Sequence, residues 1–436
     1  MVGLYGPAVD HPVMSTRDRT IRLGTRGSAL ALRQAATVKE ALEKRRFEVE
    51  LVEVETTGDQ VTDEAIHRLG KTGAFVRALD DEVLDGDLDA AVHSLKDVPT
   101  EMPDDLVVAG VPERGPPRDV LVTRDGTSLE GLPEGATVGT SSLRRGAQLR
   151  AERPDLDVQP LRGNVDTRVE KLFAPPLLRE HERRIEAEAD EDVEELAEYK
   201  QLDGDEGSDA DGDESDNGDE SDDDSEFDRT VDEWFEDLSE LERRALEQDP
   251  DVEYDAIVLA EAGLERSGLL HHVPHRQLDP ATFVPAPGQG TLAVTAADGD
   301  LASDLREVLD HAPTRVETTA ERTVLAELGG GCIAPVGIYA VLKGSVVRTT
   351  VRVLDREGDE EVRETRDLPV QRHPQAAREF AATLADAGAA DLIEEARRAA
   401  ENGDPGGASP ERDGASEDDD TADRDGDTTP RDDGGA

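Results

Sequence analysis

The chain has 436 residues, room for two to four domains at roughly 100 to 200 residues each, and a formal net charge of -55 from 48 Lys plus Arg against 103 Asp plus Glu. That charge opposes long-range attraction to nucleic acid or an anionic membrane surface, and no run approaches the roughly 20 apolar residues that span a bilayer. The single cysteine, Cys332, excludes an intrachain disulfide and any Cys-rich zinc or iron–sulfur cluster held by this chain alone.

Residues 1–19 carry no pattern and are expected to be a disordered leader, with Met14 a second candidate start. They show neither the basic start nor the apolar run of a secretory signal, so a cytoplasmic protein is expected. From Thr20 apolar strands alternate with amphipathic helices: Ile21 to Leu23, a helix from about Ser28 to Arg45, Val49 to Val54, a helix around Phe75 to Leu84, and Ala90 to Val92. This alternation predicts βαβ units around a covered sheet. A second series follows, with strands Val120 to Thr123, Thr137 to Gly139, Val158 to Leu161 and Tyr254 to Leu259, and helices from Ser142 and Asn164.

An acidic insert over 173–252 interrupts this series. Its centre, about 186–228, holds too little apolar surface to fold and is expected to be disordered, while Thr230 to Glu247 predicts one helix with Trp234, Phe235, Leu238, Leu241 and Leu246 on roughly one face. Further on come helices at about Leu301 to Asp310 and Arg315 to Leu328, a Gly-rich turn, strands Val336 to Leu342 and Val346 to Leu354, and a helix from about Pro374. Residues 400–436 read as a disordered acidic tail. The expected fold is α/β: one lobe over 20–112 and 290–310, a second over 113–289, and a smaller α+β C-terminal domain over 311–399.

Glu186 to Asp228 holds 23 acidic residues and one Lys, and Glu401 to Ala436 holds 13 acidic residues and three Arg. The rest of the chain is still acidic. Such a surface fits a halophilic protein, in which high salt screens the self-repulsion.

Against this acidity, basic and hydroxyl residues gather at strand ends. Thr25-Arg26-Gly27-Ser28, Gly139-Thr140-Ser141-Ser142-Leu143-Arg144-Arg145 and Leu161-Arg162-Gly163-Asn164-Val165-Asp166-Thr167-Arg168 each place guanidinium groups, hydroxyls and backbone amides where a strand gives way to a helix. Ligands of open α/β sheets bind outside the carboxyl ends of strands, so a cleft for a ligand with several carboxylates or phosphates is expected. Ala91-Val92-His93-Ser94-Leu95-Lys96-Asp97-Val98-Pro99 ends another strand in polar groups. Asp97 could steady a developing cation or exchange protons there, or simply pair with Lys96 to cap the turn. Gly329-Gly330-Gly331-Cys332 presents a thiol that is either a nucleophile for a covalent link or an inert small hydrophobe. Leu69 to Phe75 reads as a lid and Pro285 to Gly290 as a rigid crossover; neither matches a nucleotide-binding motif.

Taken together, His93 to Pro99, Gly139 to Arg145, Leu161 to Arg168, Pro287 to Gly290 and Gly330-Gly331-Cys332 resemble, in order and spacing, the porphobilinogen deaminase (hydroxymethylbilane synthase) family. The resemblance covers about Thr20 to Leu172 and Tyr254 to Ala399. It implies two lobes like periplasmic anion-binding receptors with the active site between them, and a third domain bearing the cysteine. It further implies a transferase of porphyrin biosynthesis, a cytoplasmic monomer needing no metal, that condenses four porphobilinogen molecules with loss of ammonia and releases hydroxymethylbilane.

By that match Cys332 would carry a dipyrromethane cofactor through a thioether, and Asp97 would be the catalytic carboxylate. Lys96, Thr140, Ser142, Arg144, Arg145 and Arg168 would hold the cofactor carboxylates, and Arg26, Ser28, Arg162 and Arg266 the substrate and growing chain. The family's lid lysine falls at Thr72, whereas this chain has Lys71. The rival reading is a bilobal receptor or effector domain for an organic anion.

Overall fold

The computed structural model describes residues 20–54, 74–202, 227–331 and 333–402. The expected leader, the lid at Lys71 and Thr72, the middle of the acidic insert, Cys332 and the tail lie outside them.

The first lobe opens with β1 (Thr20–Arg26), α1 (Ala29–Glu43), β2 (Glu48–Val54), α2 (Ala74–Asp85), β3 (Ala90–Ser94) and β4 (Leu106–Gly110). Ser28 caps α1 by accepting from the Ala31 amide at 3.3 Å. Ala35, Val38 and Leu42 then recur at helical spacing and bury one face of the helix on the sheet.

The second lobe continues with β5 (Asp119–Thr123), β6 (Thr137–Gly139), α3 (Leu143–Glu152), β7 (Asp157–Gln159), α4 (Val165–Leu202), α5 (Val231–Asp237), α6 (Glu240–Ala245), β8 (Ala256–Ala260), α7 (Glu261–Ser267) and β9 (His275–Gln277). The chain then returns as β10 (Leu292–Ala297) and α8 (Asp300–Leu309).

The two sheets share one plan. The first has the order β2-β1-β3-β10-β4 and the second β7-β6-β8-β5-β9. Three parallel strands come first in each, and the fourth runs antiparallel to its neighbours. That fourth strand, β10 or β5, is the one entered from the opposite lobe. The chain therefore crosses twice, through 111–118 and 278–291, and parallel strand ends of each sheet share one edge.

Two expectations for the insert are corrected. Helix α4 continues through Leu202, past the point where structure was expected to stop, because Glu, Ala and Leu are strong helix formers. Thr230 to Glu247 is two short helices rather than one, because Ser239 forms a capping box with Glu242 and restarts the helix. Both dock on α4: Trp234 stacks on His181 with centroids 5.8 Å apart, and Glu170 accepts from Arg244 and, at 2.9 Å, from Gln248.

The third domain comprises α9 (Ala312–Leu328), β11 (Val336–Lys343), β12 (Val346–Leu354), β13 (Glu361–Pro369), α10 (His373–Leu384) and α11 (Ala390–Glu401). Its three-stranded antiparallel meander packs on the helices through Val324, Ile338, Val351, Phe380 and Ile393.

Glu321 of α9 joins the three parts. Its fully buried carboxylate accepts from Arg114 of the first crossover at 2.8 and 3.3 Å, from the Gly288 amide of the second at 2.6 Å, and from the Ala340 amide of β11 at 2.8 Å. The crossovers also meet directly, the Gly115 amide donating to the Gly290 carbonyl at 3.0 Å. Gly290 has φ +84°, and a Cβ there would stand 2.7 Å from the Gly115 oxygen, so only glycine fits. Glu321→Gln leaves the buried Arg114 charge uncompensated and is expected to cost about 3–5 kcal/mol, seen as a lowered denaturant midpoint; a loss under about 1 kcal/mol would contradict this role.

Candidate active site

The parallel register of β1 and β3, Gly24 opposite Ala91, brings Arg26 and the Ser94-Leu95-Lys96-Asp97 turn to one edge of the first lobe. Leu95 to Asp97 form a single 3-10 turn. His93 points the other way: it is buried, with Nε2 3.0 Å from both Asp80 Oδ1 and Thr295 Oγ1, and serves the core. Ser28 is committed to the cap of α1, and Arg26 is half-buried at the end of β1.

The second lobe supplies the opposing edge. Thr140 Oγ1 accepts from the Ser142 amide at 3.2 Å, and Ser142 caps α3 by accepting from the Arg145 amide at 3.4 Å. Ser141 donates to the Leu161 carbonyl at 2.7 Å, tying the loop after β6 to the loop after β7. Arg162 lies half-buried on that second loop. Gly163 takes φ +113°, which turns its carbonyl to accept from Arg168 Nε at 2.8 Å.

Lys96, Arg145 and Arg168 converge across the cleft. The Lys96 ammonium is held up by Asp97, but burial and the guanidinium groups of Arg145 and Arg168 outweigh that and carry its pKa below the usual lysine value. Lys96 and Asp97 nevertheless expose surface to solvent. The Arg168 pKa is pulled down to about 10, by burial first and by Arg145 second. Among the described residues no carboxylate pairs with Arg168, so the cluster holds positive charge that the protein does not neutralise. Such a donor set of ammonium, guanidinium and hydroxyl groups fits a small carboxylate-rich ligand, as a dipyrromethane would be.

Arg144 and Arg145 bind inward in a way the sequence did not reveal. Asp119, fully buried at the start of β5, takes Arg144 Nη1 at 2.8 Å on one oxygen, and Arg145 Nη2 at 2.8 Å and Nε at 2.9 Å on the other. Gln289 of the second crossover adds a hydrogen bond to Asp119 at 3.0 Å. Arg144 also donates to the Val284 carbonyl at 2.8 Å, so its guanidinium is engaged internally rather than offered to a ligand. Arg145 remains close enough to act on both Lys96 and Arg168. Arg266 lies on the crossovers, donating to the Gly290 carbonyl at 2.6 Å. The only sequence signal for Asp119 was an acidic residue opening an apolar strand.

Burial alone would raise the Asp119 carboxyl, but Arg144 and Arg145 hold it below the ordinary value. Its stabilisation is therefore present above about pH 4 and lost as pH falls through the lowered folded-state pKa. Asp119→Asn is expected to cost about 3–5 kcal/mol at neutral pH and to flatten the acid-side loss of stability below about pH 4, measured by denaturant unfolding at several pH values. An unchanged acid limb would contradict the assignment.

Comparison with known proteins places the chain in a family. The family model described as porphobilinogen deaminase, dipyromethane cofactor binding domain, matches residues 21–181 and 239–304, and the porphobilinogen deaminase C-terminal domain matches 316–387. A probable porphobilinogen deaminase of Halobacterium salinarum is 59% identical over 391 residues, covering 86% of this chain and 98% of that one. A porphobilinogen deaminase of Syntrophobacter fumaroxidans is 35% identical over 387 residues, covering 88% and 99%. Among solved structures, a YaeC-family lipoprotein of Enterococcus faecalis has a TM-score of 0.31 at 14% identity, and the methionine-binding protein MetQ 0.30 at 11%, each over 66% of this chain and 89% of the other. Overlap that weak leaves the two-lobed fold to rest on the sheets themselves. The rival reading as an anion receptor gives way to the sequence matches, which run through both lobes and the third domain: the chain belongs to the porphobilinogen deaminase family.

Proposed function

We propose that the cleft holds a dipyrromethane primer joined to Cys332 by a thioether, with Lys96, Arg145, Arg168, Thr140 and Ser142 on its carboxylates, and that Asp97 acts on the incoming porphobilinogen. The activity is that of a porphobilinogen deaminase, a transferase with a dipyrromethane cofactor. When bound, that cofactor supplies the free pyrrole α-carbon to which the first substrate is joined. The positive charge at Lys96, Arg145 and Arg168, with no carboxylate among the described residues paired with Arg168, carries the reading.

Asp97 stands exposed beside Lys96 at the meeting of the two lobes. Loss of ammonia from the aminomethyl arm of porphobilinogen breaks the C–N bond and leaves a methylene-pyrrolenine cation. A carboxylate about 4 Å from that cation contributes about 4 kcal/mol at an effective dielectric constant near 20, roughly a thousandfold in rate. The same oxygens can hold the pyrrole N–H groups during coupling. Arg26, Ser28, Arg162 and Arg266 are placed for the acetate and propionate groups of substrate and growing chain; Arg266 keeps donors beyond the one given to Gly290. Arg144 acts one step back, through Asp119.

The acidic insert is peripheral to this chemistry, since α5 and α6 dock on α4 rather than on the strand-end loops. A cytoplasmic, halophilic monomer without nucleic-acid or membrane partners fits the -55 charge, and no helix among the described residues is long and apolar enough to cross a membrane. A chain lacking 186–228 is expected to keep its turnover at high salt; loss of activity would place the insert in the mechanism.

Asp97→Asn is expected to lower kcat for porphobilinogen about a thousandfold, read as ammonia and hydroxymethylbilane release, with KM changed little. Retention of more than about a tenth of wild-type kcat would remove Asp97 from the chemistry.

A further inference from the structure

Next to Glu321 on helix α9, Arg322 reaches back to the first lobe. Its Nη1 donates to the Val98 carbonyl at 2.7 Å and the Leu95 carbonyl at 3.4 Å, and its Nη2 to the Pro99 carbonyl at 2.6 Å. Those three carbonyls bracket Lys96 and Asp97. Among the described residues no carboxylate pairs with it, and burial together with Arg315 pulls its pKa down to about 10. A buried cation is costly unless its donors are filled, and these donors fit the backbone of one turn. On another side the same turn meets the second crossover, where the Leu95 amide donates to the Thr291 carbonyl at 2.9 Å and a Cβ on Gly288 would come within 3.1 Å of Leu95.

We propose that Arg322 is a positioning residue that locks the Asp97 turn to helix α9, so that the working carboxylate is held by the same helix that leads into the cysteine-bearing segment. This rests on the reading of Asp97 given above. Helix α9 ends in a left-handed cap at Gly329, three positions before Cys332 in sequence. Its penultimate turns thus hold the crossovers through Glu321 and the Asp97 turn through Arg322. An error of about 1 Å in the carboxylate would lower the rate by about a hundredfold without preventing substrate from binding. Arginine is required because its planar fork meets three carbonyls at once, which a lysine ammonium on a single stem does not.

A cleft of about 240 Å³, lined in part by Leu95, Thr100, Thr319, Arg322 and Thr323, borders this side chain. It gives a route by which a free guanidinium ion can replace a deleted one. The test compares Arg322→Ala, Arg322→Lys and Asp97→Asn as primer-loaded enzymes, with Arg378→Ala, an exposed lining residue paired with Glu327, as control. Arg322→Ala is expected to lose ten- to a hundredfold in kcat with KM within about twofold. Intact mass should show the primer fully loaded, and amide exchange over residues 95–99 should quicken. Low millimolar guanidinium should restore part of kcat, Arg322→Lys should fall between, and Arg378→Ala should match wild type.

Unchanged kcat in Arg322→Ala while Asp97→Asn is inactive overturns the positioning role alone. A fall in kcat that tracks a fall in unfolding midpoint, with no rescue by guanidinium, overturns it in favour of simple destabilisation. Wild-type turnover in Asp97→Asn overturns it together with the reading of Asp97.

Discussion

One buried carboxylate ties together the parts of the chain that make the two-lobed cleft. Glu321 accepts four hydrogen bonds from three separate parts of the chain, two of which are the crossovers that allow the lobes to exist as lobes. Burial pushes its carboxyl pKa up against the pull of Arg114 and the two amides, so the contact is electrostatically expensive and is held only because every oxygen position is answered. A hydrophobic contact at this joint would have permitted sliding. Directional bonds to two backbone amides fix the relative height of crossover, helix α9 and strand β11.

Charge is organised on two scales. Over the whole molecule the balance is -55, whereas within the cleft Lys96, Arg145 and Arg168 gather positive charge, and burial first, with the neighbouring guanidinium groups second, lowers the pKa values of Lys96 and Arg168. These facts are compatible because interactions in the concavity are screened less than those across the surface, where salt acts over about 8–10 Å. Asp119 divides the local arginines into two sets. It neutralises Arg144, holds Arg145 by two nitrogens while leaving its field in the cleft, and does not touch Arg168. A multiply charged anion entering the cleft thus meets a site in which its own carboxylates supply the missing partners.

Much of this was legible in the sequence, for reasons that can be named. The strand-end segments Gly139 to Arg145 and Leu161 to Arg168 combine glycine, hydroxyls and arginine at a β-to-α transition, and that chemistry does not depend on distant residues. The partner of Arg144 and Arg145 was not legible, because Asp119 lies on another strand and nothing local marks it as their counter-ion. The same holds for Arg322, whose acceptors are backbone carbonyls and leave no trace in composition. Strand β13 escaped notice because its outward positions, Glu361, Arg363, Thr365 and Asp367, are polar, and the positions alternating with them include the charged Glu364 and Arg366, which break the apolar repeat begun by Val362 and Leu368. The break at Ser239 was available as Ser239-Glu240-Leu241-Glu242, a capping-box pattern hidden beneath an apolar stripe that ran through it.

In the function proposed above, the positive cleft serves a primer carried by this chain's one cysteine. The most direct measurement is the intact mass of the purified protein beside that of Cys332→Ser, each before and after incubation with porphobilinogen. A mass excess of two linked pyrrole units is expected on the wild-type chain and none on the variant. A wild-type chain that stays unmodified after incubation at high salt, or a Cys332→Ser chain that carries the same excess, would contradict it.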